Sequence, residues 1–201
     1  MPIYKSSQII RRVPTMPLIA LCVALMFLAG IAGPVQGREA HERPLSACRT
    51  EIYFAPEEDL ENVDIPLIKA ARSSVDVAMY AFTDRSLAEA LVTAAGRGVQ
   101  VRIYRDRGQF QSEQRRGGSV LAWLSKQPNI RMKVKASHEL MHDKAFSVDN
   151  RILRDGSANW SRSAARYQDN EITVTDDPRE VNAFERKFAS MWSRSDNEMI
   201  Q

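Results

Sequence analysis

The sequence predicts an α/β domain in which a mixed, mostly central β-sheet is flanked by helices on both faces. Two observations predict this fold class. Strand-like and helix-like segments alternate along the first half of the domain, and short strand-like segments then cluster over residues 145–174. The chain of 201 residues is long enough for a signal peptide followed by a single domain with a substantial apolar core.

The N-terminal segment, residues 1–37, has the pattern of a secretory signal peptide. Lys5, Arg11 and Arg12 precede an uncharged, mostly apolar run over 16–33, and small residues then lead to a candidate cleavage site. An uncleaved anchor is the alternative, because a run of this length lies near the lower limit for spanning a bilayer. We therefore expect a periplasmic or secreted protein, or one anchored in the inner membrane.

A polar, proline-containing linker over 38–48 is expected to precede the domain, which we place at 49–196. Its strands are indicated by alternating or continuous apolar residues between turn-forming residues. The predicted strands are, in order, 51–54, 75–80, 99–104, 130–134, 145–148, 151–153 and 171–174.

The first two predicted helices are indicated by apolar residues that recur at helical spacing. The first covers 60–71, where Pro66 weakens the prediction unless the helix begins near it. The second is capped by Thr83 or Asp84 and is stopped at Gly96.

Two more helices are predicted in the second half of the chain. The first of these covers 120–126 and ends before Pro128. The other begins at Pro178, a residue favoured in the first turn of a helix. It is amphipathic, and its apolar positions are Val181, Phe184, Phe188 and Met191.

Charge is distributed unevenly along the chain. Cleavage of the signal peptide would leave 25 of the 28 basic residues against 25 acidic ones, so the mature chain would carry no net charge. Residues 97–166 nevertheless contain 15 Lys and Arg against 6 Asp and Glu. Such a basic middle segment suits a polyanionic substrate such as nucleic acid. A solvated surface of mixed charge is the alternative.

Neither a cofactor nor a metal ion is expected. After cleavage Cys48 would be the only cysteine, and no Cys/His group has the spacing of a zinc site. The run His138-Glu-Leu-Met-His142 superficially matches a zinc-protease helix, but the residues before it are extended in character.

The residues that indicate chemistry lie in two short stretches, His142-Asp-Lys144 and Gly156-Ser157-Ala-Asn159. Histidine can act as nucleophile or proton carrier near neutral pH, and lysine supplies a positive charge to phosphoryl oxygens. Ser157 and Asn159 can add neutral hydrogen-bond donors, and Gly156 permits a close approach of the backbone. Together these groups suit the hydrolysis of a phosphate ester without a metal.

This compound pattern resembles the HKD motif of the phospholipase D superfamily: His142-x-Lys144-(x)4-Asp149-(x)6-Gly156-Ser157-x-Asn159. Segments 77–82, 87–98 and 99–106 resemble the strand–helix–strand portion of its short, single-motif members. Among these members, the sequence resembles the small exported bacterial endonucleases related to the plasmid-encoded Nuc protein. The resemblance implies the phospholipase D-like fold.

The resemblance also implies a two-step reaction at a site that two identical chains share. One His142 would attack phosphorus and form a phosphohistidine, and the second chain's His142 would protonate the leaving oxygen and then activate water. Lys144 and Asn159 from both chains would hold the phosphate, and Ser157 would assist them.

Two further acidic residues are candidates for the catalytic set. By resemblance Glu171 would orient the histidine, although a small register shift would move this role to 169–170. Asp149 belongs to the motif, and we favour a turn or backbone-holding role for it. Arg154 and Asp155 depart from the less charged residues of relatives and are expected to alter the rim of the site.

Substrate contacts are expected outside the motif as well. Basic side chains would contact backbone phosphates, with a solvated loop as the alternative. The ring of Trp160 would either stack on bases or, as we favour, be buried in the core. The candidates are Arg105, Arg107, Arg115, Arg116 and Trp160.

These inferences favour an exported, metal-independent endonuclease that hydrolyses DNA or RNA as a homodimer. The first alternative is a lipid phosphodiesterase that acts on phospholipid or cardiolipin at the membrane. The second is a non-catalytic nucleic-acid-binding module, against which the intact His142 and Lys144 argue.

Overall fold

The computed structural model describes residues 48–116 and 120–201. The expected signal peptide over 1–37 and nearly all of the linker over 38–48 lie outside the described residues, so both stay predictions. Within the two described ranges, none of the helices combines the length and the apolar character that crossing a membrane requires.

The described residues form one mixed sheet of eight strands. The strands are β1 (Thr50–Ala55), β2 (Ser74–Met79), β3 (Gln100–Arg105), β4 (Ile130–Val134), β5 (Lys144–Val148), β6 (Ile152–Gly156), β7 (Asn170–Thr175) and β8 (Glu198–Ile200). Their order in the sheet is β1-β7-β6-β5-β2-β3-β4-β8. Strands β2, β3 and β4 pair in parallel, and every other pair of neighbours in this sheet is antiparallel. This arrangement confirms the predicted fold class.

Helices cover both faces of the sheet. Consecutive strand residues point to opposite faces: Val77 packs in the cluster that contains Leu91 and Leu121, whereas Ala78 packs in the cluster that contains Phe188. The helices are α1 (Glu61–Ala70), α2 (Arg85–Gly96), α3 (Arg107–Arg115), α4 (Val120–Leu124), α5 (Arg162–Arg166) and α6 (Pro178–Trp192). Because α1, α2 and α4 contribute to the cluster of Val77 and α6 contributes to the cluster of Ala78, the first three lie on one face of the sheet and α6 lies on the other.

Local signals position the helix starts that the sequence predicts. The side chain of Asp84 accepts a hydrogen bond from the backbone N–H of Leu87 at 3.1 Å and caps α2. Asp177 caps α6 in the same way, through the N–H of Arg179 at 2.8 Å, and Pro178 occupies the first turn.

Three elements are absent from the sequence prediction. Helix α3 is mostly polar and buries only Phe110 and Glu113, and α5 has five residues, so neither shows a clear apolar period. Strand β8 has three residues, too few for an alternating pattern, and it pairs with β4. The sheet extends to Ile200, four residues beyond the domain end that the sequence predicts at 196.

The fold brings both halves of the motif to the carboxyl end of β2. Lys144 begins β5 directly opposite Met79, and the backbone N–H of Tyr80 donates to the carbonyl of Asp143 at 2.9 Å. Trp160, one residue after Asn159, forms a bridge with Phe82.

Candidate active site

His142 and Lys144 are in contact. The Nζ atom of Lys144 lies 3.3 Å from Nδ1 of His142 and donates to the carbonyl oxygen of the same residue at 2.7 Å. The ring of Tyr80 borders both side chains, with its centroid 4.5 Å from that of the imidazole and 5.4 Å from Nζ. His142 is exposed, whereas Lys144 is only 8% exposed. A reactive ring thus faces solvent beside a cation in a fixed position.

The environment of Lys144 strengthens its use as an anion-binding group. Burial lowers the pKa of Lys144, and the charge of the neighbouring Asp143 opposes this shift. A partly desolvated ammonium attracts an incoming anion more strongly than a fully hydrated one, because the local dielectric is lower.

Asn159 is oriented by the end of β2. Its Oδ1 atom accepts a hydrogen bond from the backbone N–H of Ala81 at 3.0 Å, and the N–H of the following Trp160 donates to the carbonyl of Ala81, also at 3.0 Å. Because the oxygen of the amide is held, the NH2 group is the end that can donate to a bound anion.

Ser157 is engaged with β7. Its hydroxyl donates to Oδ1 of Asn170 at 2.9 Å and accepts from the N–H of Glu171 at 3.0 Å. Ser157 therefore anchors the segment that carries Asn159, and its hydroxyl would have to exchange partners to reach a phosphate. The backbone of Gly156 lies close to that of Glu171. A residue with a Cβ atom would not fit there, because that atom would lie 2.3 Å from the carbonyl oxygen of Glu171.

Glu171 lies beside an open pocket at the start of β7, opposite Phe54 of β1. Within the described part of one chain, no hydrogen bond or ion pair joins its carboxylate to His142. The orienting role of Glu171 therefore stays a prediction. The neighbouring Asn170 contacts Ser157 instead.

Asp149 lies at the opposite end of β5 from Lys144 and holds backbone. Its carboxylate accepts hydrogen bonds from the N–H groups of Ser73 at 2.7 Å, Ser74 at 3.0 Å and Arg72 at 3.0 Å. Burial works against its charge, but the hydrogen bonds from Ser74, Ser73 and Arg72 outweigh burial and lower the pKa of Asp149. Its place in the catalytic set is therefore corrected to the backbone-holding role that the sequence favoured.

Two of the expected substrate contacts are wrong. Arg105 is fully buried, where it donates to the carbonyl of Tyr80 and pairs with Glu113, both at 2.8 Å. The sequence could not indicate this partner, because Glu113 lies on the unpredicted helix α3. Trp160 is 1% exposed and donates to Asp64 at 2.8 Å, so its ring belongs to the core.

The other basic candidates are exposed or half-buried, and their contact with a substrate stays a prediction. Arg115 and Arg116 are exposed at the end of α3. Arg107 is half-buried at the start of that helix, near the carbonyl of Lys135 and the carboxylate of Glu198.

The contact of Tyr80 with the site is not predictable from the sequence, and the position expected for Arg154 is wrong. Tyr80 carries no local signal beyond its position after an apolar strand, and only the pairing of β2 with β5 brings it to His142. Arg154 was expected at the rim of the site, but it is only 1% exposed and contacts backbone carbonyls of the motif. Over the ranges that the structure describes, no three His, Cys, Asp or Glu side chains form a group that could hold a metal ion.

Comparison with known proteins assigns the family. The protein family described as "Cardiolipin synthase, PLD-like domain" matches residues 65–192, which is more than half of the chain. The chain belongs to the phospholipase D superfamily. The resemblance seen in the motif is therefore confirmed at the level of the family.

Solved structures support the fold. NucT from Helicobacter pylori is similar with a TM-score of 0.67 and 27% identity, over 72% of this chain and 96% of that one. The phospholipase D family member Nuc from Salmonella typhimurium has a TM-score of 0.67 and 23% identity, over 77% and 99% of the two chains.

Curated relatives share a shorter region. The mitochondrial cardiolipin hydrolase of Homo sapiens is 30% identical over 125 residues, which is 62% of this chain and 48% of that protein. The protein of the same name from Chlamydomonas reinhardtii is 27% identical over 123 residues, 61% of this chain and 53% of the relative. This chain thus spans about half the length of these relatives.

The backbone role of Asp149 is testable by substitution. We expect Asp149→Asn to lower the free energy of unfolding by about 2 kcal/mol at neutral pH, because an amide oxygen is a weaker hydrogen-bond acceptor than the charged carboxylate that it replaces. Since the folded-state pKa of Asp149 is lowered, its stabilisation is present above the unfolded value of about 3.9 and is lost as the pH falls through the folded pKa.

Urea unfolding at a series of pH values measures this difference. The matched control is Asp169→Asn, since Asp169 is exposed and accepts no hydrogen bond from the described residues. Equal stability of the Asp149→Asn variant and the unsubstituted protein at neutral pH would contradict the backbone role.

Proposed function

We propose that this protein is a phosphodiesterase that hydrolyses DNA or RNA through a phosphohistidine, without a metal ion. The proposal rests on the contact between the exposed His142 and the buried Lys144, whose Nδ1 and Nζ atoms lie 3.3 Å apart. Asn159 is oriented beside the same end of β2 by its bond to Ala81. These three side chains supply a nucleophile, a fixed cation and a neutral donor.

The first chemical step would form a bond between a ring nitrogen of His142 and phosphorus. The bond from phosphorus to the leaving ester oxygen breaks in this step, and that oxygen takes a proton from a second histidine. Lys144 and the NH2 group of Asn159 stabilise the charge that develops on the nonbridging oxygens. In the second step the second histidine removes a proton from water, which attacks phosphorus and releases His142.

A second copy of the chain would supply the second histidine. The mechanism needs two histidines in opposite proton roles, and each chain contributes one that contacts a lysine within the described residues. His138 is exposed on the preceding loop but has no such partner. We therefore propose a homodimer whose shared active site contains His142 from each chain.

Nucleic acid is the substrate that the charge pattern favours. The exposed Arg115 and Arg116 belong to the basic segment over 97–166, and neutralisation of phosphates provides most non-specific affinity for nucleic acid. A phospholipid such as cardiolipin is the second candidate, because the curated relatives are named mitochondrial cardiolipin hydrolases. We further propose that the N-terminal segment exports the protein or anchors it in the inner membrane.

A substrate panel in EDTA tests both the reaction and the substrate. We expect the purified full chain to cleave plasmid DNA, single-stranded DNA or RNA in EDTA, because its cations are side chains. Cardiolipin vesicles form the parallel arm, and cleavage of vesicles alone would identify the lipid as substrate. The His142→Ala variant controls for contaminating nucleases. Cleavage that disappears in EDTA and returns with a divalent metal would contradict the mechanism.

The shared site predicts how mixed dimers behave. When wild-type and His142→Ala chains are co-refolded in equal amounts, only about a quarter of the dimers contain two intact motifs. Activity per total chain should therefore fall to about a quarter, because a mixed dimer lacks one of the two histidines. A fall to about one half would mean that each chain works alone, as would full activity of a monomer in sedimentation analysis.

A further inference from the structure

The buried side chain of Arg154 connects the two halves of the motif. It is 1% exposed, and its Nη1 atom donates to the carbonyl oxygens of Lys144 at 2.7 Å and of Ala158 at 3.2 Å. The first carbonyl belongs to the lysine of the candidate site, and the second belongs to the peptide that leads into Asn159. One guanidinium nitrogen thus ties together the backbone of both phosphate-binding residues.

This contact lies where β5 and β6 no longer pair with each other, although the start of β5 still pairs with β2. The β5–β6 ladder ends at the pair formed by Phe146 and Arg154, two residues short of Lys144. Beyond that pair, β6 continues along β7 as far as Gly156. The guanidinium group of Arg154 therefore replaces the missing ladder between the start of β5 and the segment that carries Asn159.

Helix α1 holds the guanidinium in place. The Nε atom of Arg154 donates to Oδ1 of Asp64 at 3.0 Å, and Nε1 of Trp160 donates to Oδ2 of the same carboxylate at 2.8 Å. Burial raises the pKa of Asp64, whereas the charge of Arg154 and the two hydrogen bonds act in the opposite direction. A buried carboxylate with both oxygens in use restricts where the arginine can lie.

We propose that Arg154, oriented by Asp64, is a positioning residue that sets the separation of Lys144 and Asn159 around a bound phosphate. The proposal rests on the function proposed above. Only arginine has donors in a planar fork that can reach a carboxylate and two carbonyls together, so lysine is not an equivalent residue here.

A purely structural role is the competing explanation, and a pair of substitutions separates the two. Removal of one partner from a buried ion pair leaves an uncompensated charge, whereas removal of both partners does not. The variants are therefore Arg154→Met, Asp64→Asn and the double variant. The amide oxygen introduced by Asp64→Asn would still accept a hydrogen bond from Trp160, but the double variant has no donor for the carbonyls of Lys144 and Ala158.

The control is a second ion pair on the other face of the sheet. Arg102 pairs with the buried Asp76 and packs over the ring of Phe188 on α6. Neither member of this pair contacts the motif. Arg102→Met therefore removes an arginine from an ion pair without touching either phosphate-binding residue.

Hydrolysis of bis(p-nitrophenyl) phosphate, thermal unfolding and calorimetric binding of inorganic phosphate are measured for every variant. We expect Arg154→Met to lower Tm by about 10 °C and kcat by about 100-fold. The double variant should regain most of the lost Tm but keep the reduced kcat, and it should bind phosphate about 10-fold more weakly than wild type. Arg102→Met should lower Tm and leave kcat and phosphate binding unchanged.

If the double variant recovers kcat and phosphate affinity together with Tm, the proposal is overturned. Arg154 then has a structural role only. If Arg154→Met alone does not fold, the double variant decides the question by itself. A wild-type protein that hydrolyses no phosphodiester would refute the proposed function. In that case, weaker phosphate binding by a stable double variant would still support the positioning role, and unchanged binding would refute it.

Discussion

The antiparallel pairing of β5 with β2 is the constraint on which the candidate site depends. It places Lys144 opposite Met79, so that the motif begins where β2 ends. The next two residues then act as fixed points: Tyr80 borders His142, and the backbone of Ala81 holds both Asn159 and Trp160. A shift of one residue in this register would turn Lys144 to the other face of the sheet and separate the parts of the site.

Two buried ion pairs fix the backbone around the end of β2. Arg154 and Asp64 hold the backbone of the motif, while Arg105 and Glu113 hold the segment after β2, where Glu113 accepts from the N–H of Phe82 at 3.0 Å. Buried ion pairs are weak contributors to net stability, because desolvation offsets their attraction. Their position next to the motif is better explained by the orientation they impose on carbonyl and N–H groups that the ladders leave unpaired.

The sequence predicted what depends on local pattern. The capping by Asp84, the apolar period of α2 and the spacing of His142 and Lys144 are all properties of a few consecutive residues. Burial that depends on a distant partner could not be predicted in this way. Arg154 looks like a rim residue until Asp64, 90 positions away, is seen to pair with it. Arg105 looks like a phosphate contact until α3, too polar to show a helical pattern, is seen to bring Glu113 beneath it.

The central claim is that His142 forms a covalent bond to phosphorus during turnover. Mixing the protein with bis(p-nitrophenyl) phosphate, quenching at alkaline pH on the millisecond timescale and analysing the peptides by mass spectrometry tests this directly. We expect an acid-labile phosphoryl adduct on the peptide that contains His142, which appears before steady state and is absent from His142→Ala. Turnover with no adduct on His142 at any quench time, or with the adduct on a different residue, would contradict it.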